Sequence, residues 1–187
     1  MLDVLYADAV AVLSNWSAPH PAAADARDRT LRLLTAGPVA MTRAHRPGHV
    51  TASAMVVDAA GTRVLLCLHG KIRRWMQVGG HCEADDATLV GAALREATEE
   101  SGIAGLVAHP TPIDLDVHPV PCGPGGSFHH DVRFAVVAPP GAVARVSAES
   151  ADLRWFAPDA LPEPLAHATA PLVGPAIGLA RAVPRPG

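Results

Sequence analysis

The sequence predicts an α/β (α+β) fold in which one central helix lies between two pairs of strands, with further helices at both ends. Three observations carry this reading. Residues 86–101 have the apolar period and the flanking signals of a helix. Residues 49–57 and 62–68 read as a hairpin around Asp58-Ala59-Ala60-Gly61, its second strand a buried apolar run. Residues 113–120 and 128–137 read as a second strand pair, bridged by the Pro/Gly-rich loop 121–127.

Taken in order, the chain opens with helical segments at 2–16 and 22–35, separated by Pro19 and Pro21 and closed by Gly37-Pro38. Residues 1–46 therefore read as a helical extension, and 47–187 as the main domain. After the second strand pair, residues 152–156 supply one more strand, and Pro158-Asp159-Ala160-Leu161 a turn or helix start. Residues 162–183 supply a last helix, broken by Pro171 and Pro175. The extension leaves two roles open: capping a substrate cleft, or forming a homodimer contact.

Composition narrows the partners. At 187 residues the chain suits one domain with a sizeable core. The net charge is −3, and 14 arginines and a single lysine are dispersed, so no basic stripe suits a nucleic-acid polymer. No apolar run reaches membrane-spanning length, and Asp3 and Asp8 stand where a positive leader is expected, so a cytoplasmic protein without a membrane partner is expected. Cys67, Cys82 and Cys122 are odd in number and unpatterned, as reduced thiols are.

The chemistry concentrates in GGHCEADDATLVGAALREATEESGI, residues 79–103. Four of the six glutamates, Glu83, Glu96, Glu99 and Glu100, fall within it. Asp85 or Asp86 is a suitable N-cap for the helix, and Gly102 a natural left-handed stop. Leu89, Val90, Ala93, Leu94 and Ala97 share an apolar arc of roughly 140°. Glu96, Glu99 and Glu100 fan out beside it, with Glu100 on its shoulder. Glu96 and Glu100 are i,i+4 neighbours about 6 Å apart, which at an effective dielectric near 20 gives a repulsion of roughly 3 kcal/mol before screening. Arg95 is the one nearby cation in sequence, and it can pair with Glu99. A hard divalent cation answers this imbalance: Mg²⁺ prefers oxygen ligands and often shares its shell with substrate phosphates. Gly79 and Gly80 permit close backbone approach, so that a carbonyl can turn toward the same ion. The competing reading is a solvated acidic helix end.

These residues resemble the signature of the Nudix hydrolase family: Gly, five residues, Glu, seven residues, Arg-Glu, an aliphatic residue, any residue, Glu-Glu, any residue, Gly, aliphatic. The second half matches through Arg95, Glu96, Thr98, Glu99, Glu100, Ser101, Gly102 and Ile103, with Ala97 at the aliphatic position. The first half departs from it. Five residues beyond Gly80 stands Asp86, and eight residues then precede Arg95, so one residue is extra. Glu83, Asp85 and Asp86 are the candidates for the role of the family's first glutamate.

The resemblance implies an αβα sandwich with a mixed sheet. It also implies an Mg²⁺-dependent hydrolase, with Mn²⁺ as a substitute, that cleaves a nucleoside diphosphate linked to another moiety by attack of water on phosphorus. It assigns Glu96, Glu99 and Glu100 as metal ligands, joined by the backbone of Gly79 or Gly80. Arg95 orients the glutamates. The catalytic base is Glu99 when not coordinating, or Glu149. The expected partner is a small nucleotide or nucleotide-sugar-like molecule. A non-catalytic nucleotide-binding module and a diphosphate isomerase are the competing classes.

Two further groups are substrate-binding candidates. Arg73 and Arg74 could meet distal phosphates and Trp75 a base, although Trp75 also suits a core. His129, Asp131 and Arg133 alternate along a strand and so share one face. His81, His118 and His129 raise the question of zinc, but no two of them have zinc-site spacing.

Overall fold

The computed structural model describes residues 2–121, 125–147 and 150–181. Helices α1 (Leu2–Asn15) and α2 (Pro21–Leu34) come first, followed by a 3₁₀ turn at Pro38–Met41. The strands are β1 (His49–Val57), β2 (Val64–His69), β3 (Trp75–Met76), β4 (Val78–His81), β5 (Val107–Ala108), β6 (Asp114–Val120), β7 (Ser127–Val137) and β8 (Ser150–Phe156). Helix α3 (Leu89–Ser101) follows β4, and α4 (Ala170–Ala180) ends the described chain.

All eight strands join one mixed sheet with β1 at its centre. Along one edge β1 runs parallel to β7 over its whole length. Along the other, its first half pairs with β4 and its last two residues with β2, both antiparallel. Strand β7 in turn carries β6 and β5, and β2 carries β8 and β3.

Because side chains alternate along a strand, each strand feeds both faces of the sheet. Val50, Ala52, Ala54 and Val56 of β1, with Val132, Phe134 and Val136 of β7, share one core with Leu89, Ala93 and Ala97 of α3 and Leu5, Ala9 and Leu13 of α1. The intervening residues face the other way. There Met55 and Val57 pack with Leu66 and with Leu172, Val173 and Ala176 of α4. Helices thus cover both faces, the sandwich that the resemblance implied.

Several element ends differ from the sequence reading. Gly79 and Gly80 lie in strand β4, an element that the sequence reading did not include, opposite Ser53 and Ala52. The N-cap of α3 is Thr88, whose side chain accepts from the Gly91 N–H, rather than Asp85 or Asp86. Its C-cap Gly102 is left-handed, with φ 65°, as expected. The last helix begins at Ala170 instead of 162, because residues 164–166 pair with Trp75: its N–H donates to the Pro164 carbonyl, and its own carbonyl accepts from Ala166. Pro171 falls in the first turn, where it removes no hydrogen bond, and the helix runs through Pro175.

The N-terminal helices are tied to the sheet and to α3 by specific bonds. Trp16 Nε1 donates to the Pro112 carbonyl at 2.9 Å, and Thr30 Oγ1 meets His130 Nδ1 at 2.8 Å. Asp8 Oδ2 accepts the Leu89 N–H at 2.7 Å, satisfying an orphan donor at the start of α3. Asp8→Ala is expected to destabilise the protein by about 1 kcal/mol, lowering Tm by about 2–4 °C, while Asp8→Asn keeps an acceptor and most of the stability. Thermal unfolding of the two variants checks this; equal melting of Asp8→Ala and the parent protein would show that the contact does not support α3.

Candidate functional site

The site is organised around Arg95. Its guanidinium makes a two-pronged contact with Asp86, Nε to Oδ1 and Nη2 to Oδ2, both at 3.0 Å. Nη1 donates to Glu96 Oε1 and to Glu99 Oε2, each at 3.1 Å, and Nη2 also reaches the His81 carbonyl at 2.9 Å. Glu83 stands at 3.8 Å. Asp86 is buried and also accepts the Glu83 N–H, so it locks the loop before α3 as well as the arginine. Of the three acidic residues left open by the sequence, Asp86 makes the two-pronged contact with Arg95, whereas Glu83 stands farther off.

The side-chain hydrogen bonds that Arg95 donates to Asp86, with further attraction from Glu96, raise the pKa of Arg95, which is a cation at any accessible pH. One cation therefore faces four carboxylates within 4.0 Å: Glu83, Asp86, Glu96 and Glu99. The glutamates of α3 also meet β4. Gly79 N–H donates to Glu100 Oε1 at 3.3 Å. A Cβ on Gly80 would lie 2.7 Å from the Glu96 carboxylate, so only glycine lets that carboxylate rest against the strand. Gly79, with φ 150°, has its own reason: a Cβ there would lie 2.5 Å from Cα and Oγ of Ser53.

On the other face of the sheet, the polar first halves of β1 and β7 line a cavity of about 580 Å³. Thr51, Ser53, Asp131, Arg133 and Asp116 lie along it with His81, His118 and His129. Asp131 accepts from Ser53 Oγ at 2.6 Å, Thr51 Oγ1 at 3.1 Å and Arg133 Nε at 2.9 Å. Burial opposes its ionisation, but Arg133 and Ser53 outweigh it and hold the carboxyl below the usual range. The hydrogen bond from His118, helped by Arg133, draws Asp116 down to about 2. Burial, reinforced by neighbouring basic groups, lowers the imidazoles: His81 to about 4, His129 to about 3, and His49 below its ordinary value. These rings are neutral near pH 7.

The structure brings Glu96, Glu99, Glu100, Gly79, Gly80 and Arg95 together. It distributes the proposed substrate contacts differently. Trp75 is buried in the second core edge-on to Phe156, with ring centroids 5.0 Å apart, so the packing reading replaces base stacking. Arg133 is buried and bonded to Asp114, Asp116 and Asp131, so its charge is taken up within the wall rather than offered to a phosphate. Arg74 donates to the Leu165 carbonyl, and Arg73 is exposed with φ 56°. His129 does share its face with Asp131 and Arg133, as strand alternation requires. Glu149 and Cys122 lie outside the described residues. Burial first, and nearby carboxylates second, push Cys67 and Cys82 up to about 12, which removes both as thiolate nucleophiles.

One group escaped the sequence reading. His49, His81 and His129 lie together although no two have zinc-site spacing, because strand register rather than local sequence joins them. The available signal was a histidine at one end of each of two alternating strands.

The family model described as NUDIX domain matches residues 47–173. No curated protein matches the chain. Among solved structures, a NUDIX-family hydrolase from Clostridium perfringens is 22% identical with a TM-score of 0.59, the match covering 70% of this chain and 97% of that one. A MutT NUDIX hydrolase from Burkholderia pseudomallei is 24% identical with a TM-score of 0.50, covering 68% and 96%. The NUDIX domain of Shewanella oneidensis NrtR, solved with ADP ribose, is 19% identical with a TM-score of 0.52, covering 72% and 88%. Identities this low speak for the fold, and the family rests on the domain match together with the Arg95-centred box: this chain belongs to the Nudix hydrolase family.

Proposed function

We propose that the chain is an Mg²⁺-dependent hydrolase that cleaves the pyrophosphate bond of a nucleoside diphosphate linked to another moiety, by attack of water on phosphorus. The observation that supports this best is the meeting of the α3 carboxylates with the Gly79–Gly80 backbone around a single arginine. Four carboxylates gather about one guanidinium, and the donors are all oxygen, which suits a hard cation. The close approach that glycine permits at position 80 keeps the Glu96 carboxylate beside the strand.

Glu96, Glu99 and Glu100 would hold the ion, with a carbonyl from Gly79 or Gly80. When bound, Mg²⁺ neutralises phosphate oxygens and lowers the pKa of coordinated water. Arg95 sets the orientation of Glu96 and Glu99, and Asp86 and the His81 carbonyl set the orientation of Arg95. The Glu99 side chain is 58% exposed against 15% for Glu96, which leaves it the more accessible acceptor for a proton from attacking water. Such proton transfer is typically worth about 10²–10⁴-fold. The cavity that Gly79, Gly80 and His81 of β4 help to line is within the size range of small-molecule sites.

The test is a panel of nucleoside diphosphate derivatives, ADP ribose among them, incubated with Mg²⁺ or Mn²⁺ and scored for release of nucleoside monophosphate. Metal-dependent release from at least one member is expected. Binding without release would instead establish a non-catalytic nucleotide-binding module. Glu100→Gln keeps shape but removes an anionic ligand, so turnover should fall by about 10³ or more. Relief of like-charge repulsion should leave the metal-free variant melting at the parent temperature or above. Full activity in Glu100→Gln, or a lower melting point without metal, would make Glu100 a structural carboxylate.

A further inference from the structure

Three imidazoles from three strands meet beneath the cavity on the face opposite α3. Register places them there: His49 stands opposite His129 in the parallel β1–β7 pair, and His81 opposite Thr51 in the β1–β4 pair. One donor nitrogen from each lies within 4.8 Å of the other two. The ring centroids are 5.1 Å apart for His49 and His81, and 4.9 Å apart for each of the other two pairs.

Packing does not explain the choice of residue. His49 is fully buried, and among the described residues neither of its ring nitrogens has a hydrogen-bond partner; His81 Nε2 has none there either. Buried polar groups are nearly always satisfied, and an apolar side chain of similar size would fill this space without orphaned nitrogens. Nitrogens without a partner among the described residues, on two adjacent rings with a third imidazole in reach, point to a partner from outside the chain.

We propose that His49, His81 and His129 form a three-histidine site for a transition-metal dication, Zn²⁺ foremost, separate from the carboxylates of α3. Imidazole donors suit zinc and its first-row neighbours, whereas Mg²⁺ takes oxygen ligands. With metal–nitrogen distances of about 2.0–2.1 Å, tetrahedral ligands sit about 3.3 Å apart, so nitrogens now within 4.8 Å need to close by about 1 Å each. Three protein ligands leave a fourth position. His81 and His129 line the cavity, so that position faces it and can take water or an oxygen of a bound anion such as a phosphate. His118 stands at the edge of the group, its ring 5.7 Å from that of His129 and its Nδ1 2.9 Å from Asp116 Oδ2. Strand β4 connects the two centres: Gly80 abuts Glu96, and the His81 carbonyl accepts from Arg95.

The experiment uses untagged full-length protein, stripped with chelator and held in excess Mg²⁺. Co²⁺ is titrated and read by its visible ligand-field absorption, followed by displacement with Zn²⁺. One equivalent per chain, with the intense bands of four-coordinate Co²⁺ and loss of those bands on adding Zn²⁺, is expected. His129→Gln, checked by melting without metal, should weaken Co²⁺ by at least about 100-fold, and the double variant Glu96→Gln/Glu100→Gln should keep the spectrum. The proposal is overturned if the parent protein shows only weak six-coordinate absorption, a result that needs no variant to fold. It is overturned equally if the spectrum survives His129→Gln and disappears in the glutamate variant. Neither overturning result depends on turnover, so the hydrolase reading stands or falls separately.

Discussion

The Arg95–Asp86 fork is the contact on which the rest of the box depends. Asp86 lies in the loop after β4 and Arg95 on α3, so the two parallel hydrogen bonds fix the loop to the helix. The same guanidinium then holds Glu96 and Glu99 on one side and the His81 carbonyl on the other. An arginine can do this because its donors form a rigid planar fork; a lysine ammonium offers a single point of charge. The carboxylates of Asp86, Glu96 and Glu99 are thereby gathered around one guanidinium, the arrangement on which the proposed cation binding rests.

Strand β4 turns one sheet into two chemical environments. Glycine at position 80 lets the α3 carboxylates rest against its backbone, and alternation sends His81 to the opposite face. On that face β1 and β7 are polar at their beginnings and apolar toward their ends. His49, Thr51 and Ser53 give way to Met55 and Val57, as His129, Asp131 and Arg133 give way to Ala135. Helix α4 covers the apolar end and leaves the polar end as the cavity. The N-terminal helices add support from behind, where Asp8 holds the first turn of α3.

Local pattern was enough to find the long elements. β1 begins and ends at the residues expected from alternation and turn signals, and α3 stops at the glycine that the sequence marks. Strand β4 was not legible, because a Gly-Gly pair has weak strand propensity and pairs only when β1 is alongside. The N-cap was misplaced because Asp86 is engaged by Arg95, leaving Thr88 to cap. The box was visible from its glutamate spacing, since helical neighbours in sequence are neighbours in space. The three histidines were not: they are far apart in the chain and meet only through strand register. Arg133 and Trp75 show the converse, residue types suited to substrate that tertiary packing has engaged elsewhere.

The central claim is that the arginine fork, beyond holding the fold, arranges the α3 carboxylates for a cation. Calorimetric titration of Mn²⁺ into the parent protein and into Arg95→Lys, with Zn²⁺ present in both at equal concentration, tests it most directly. Lysine keeps the charge and removes the fork, so affinity for Mn²⁺ is expected to fall about 10–100-fold while the melting transition stays cooperative. Equal Mn²⁺ affinity in a folded Arg95→Lys protein would contradict the account.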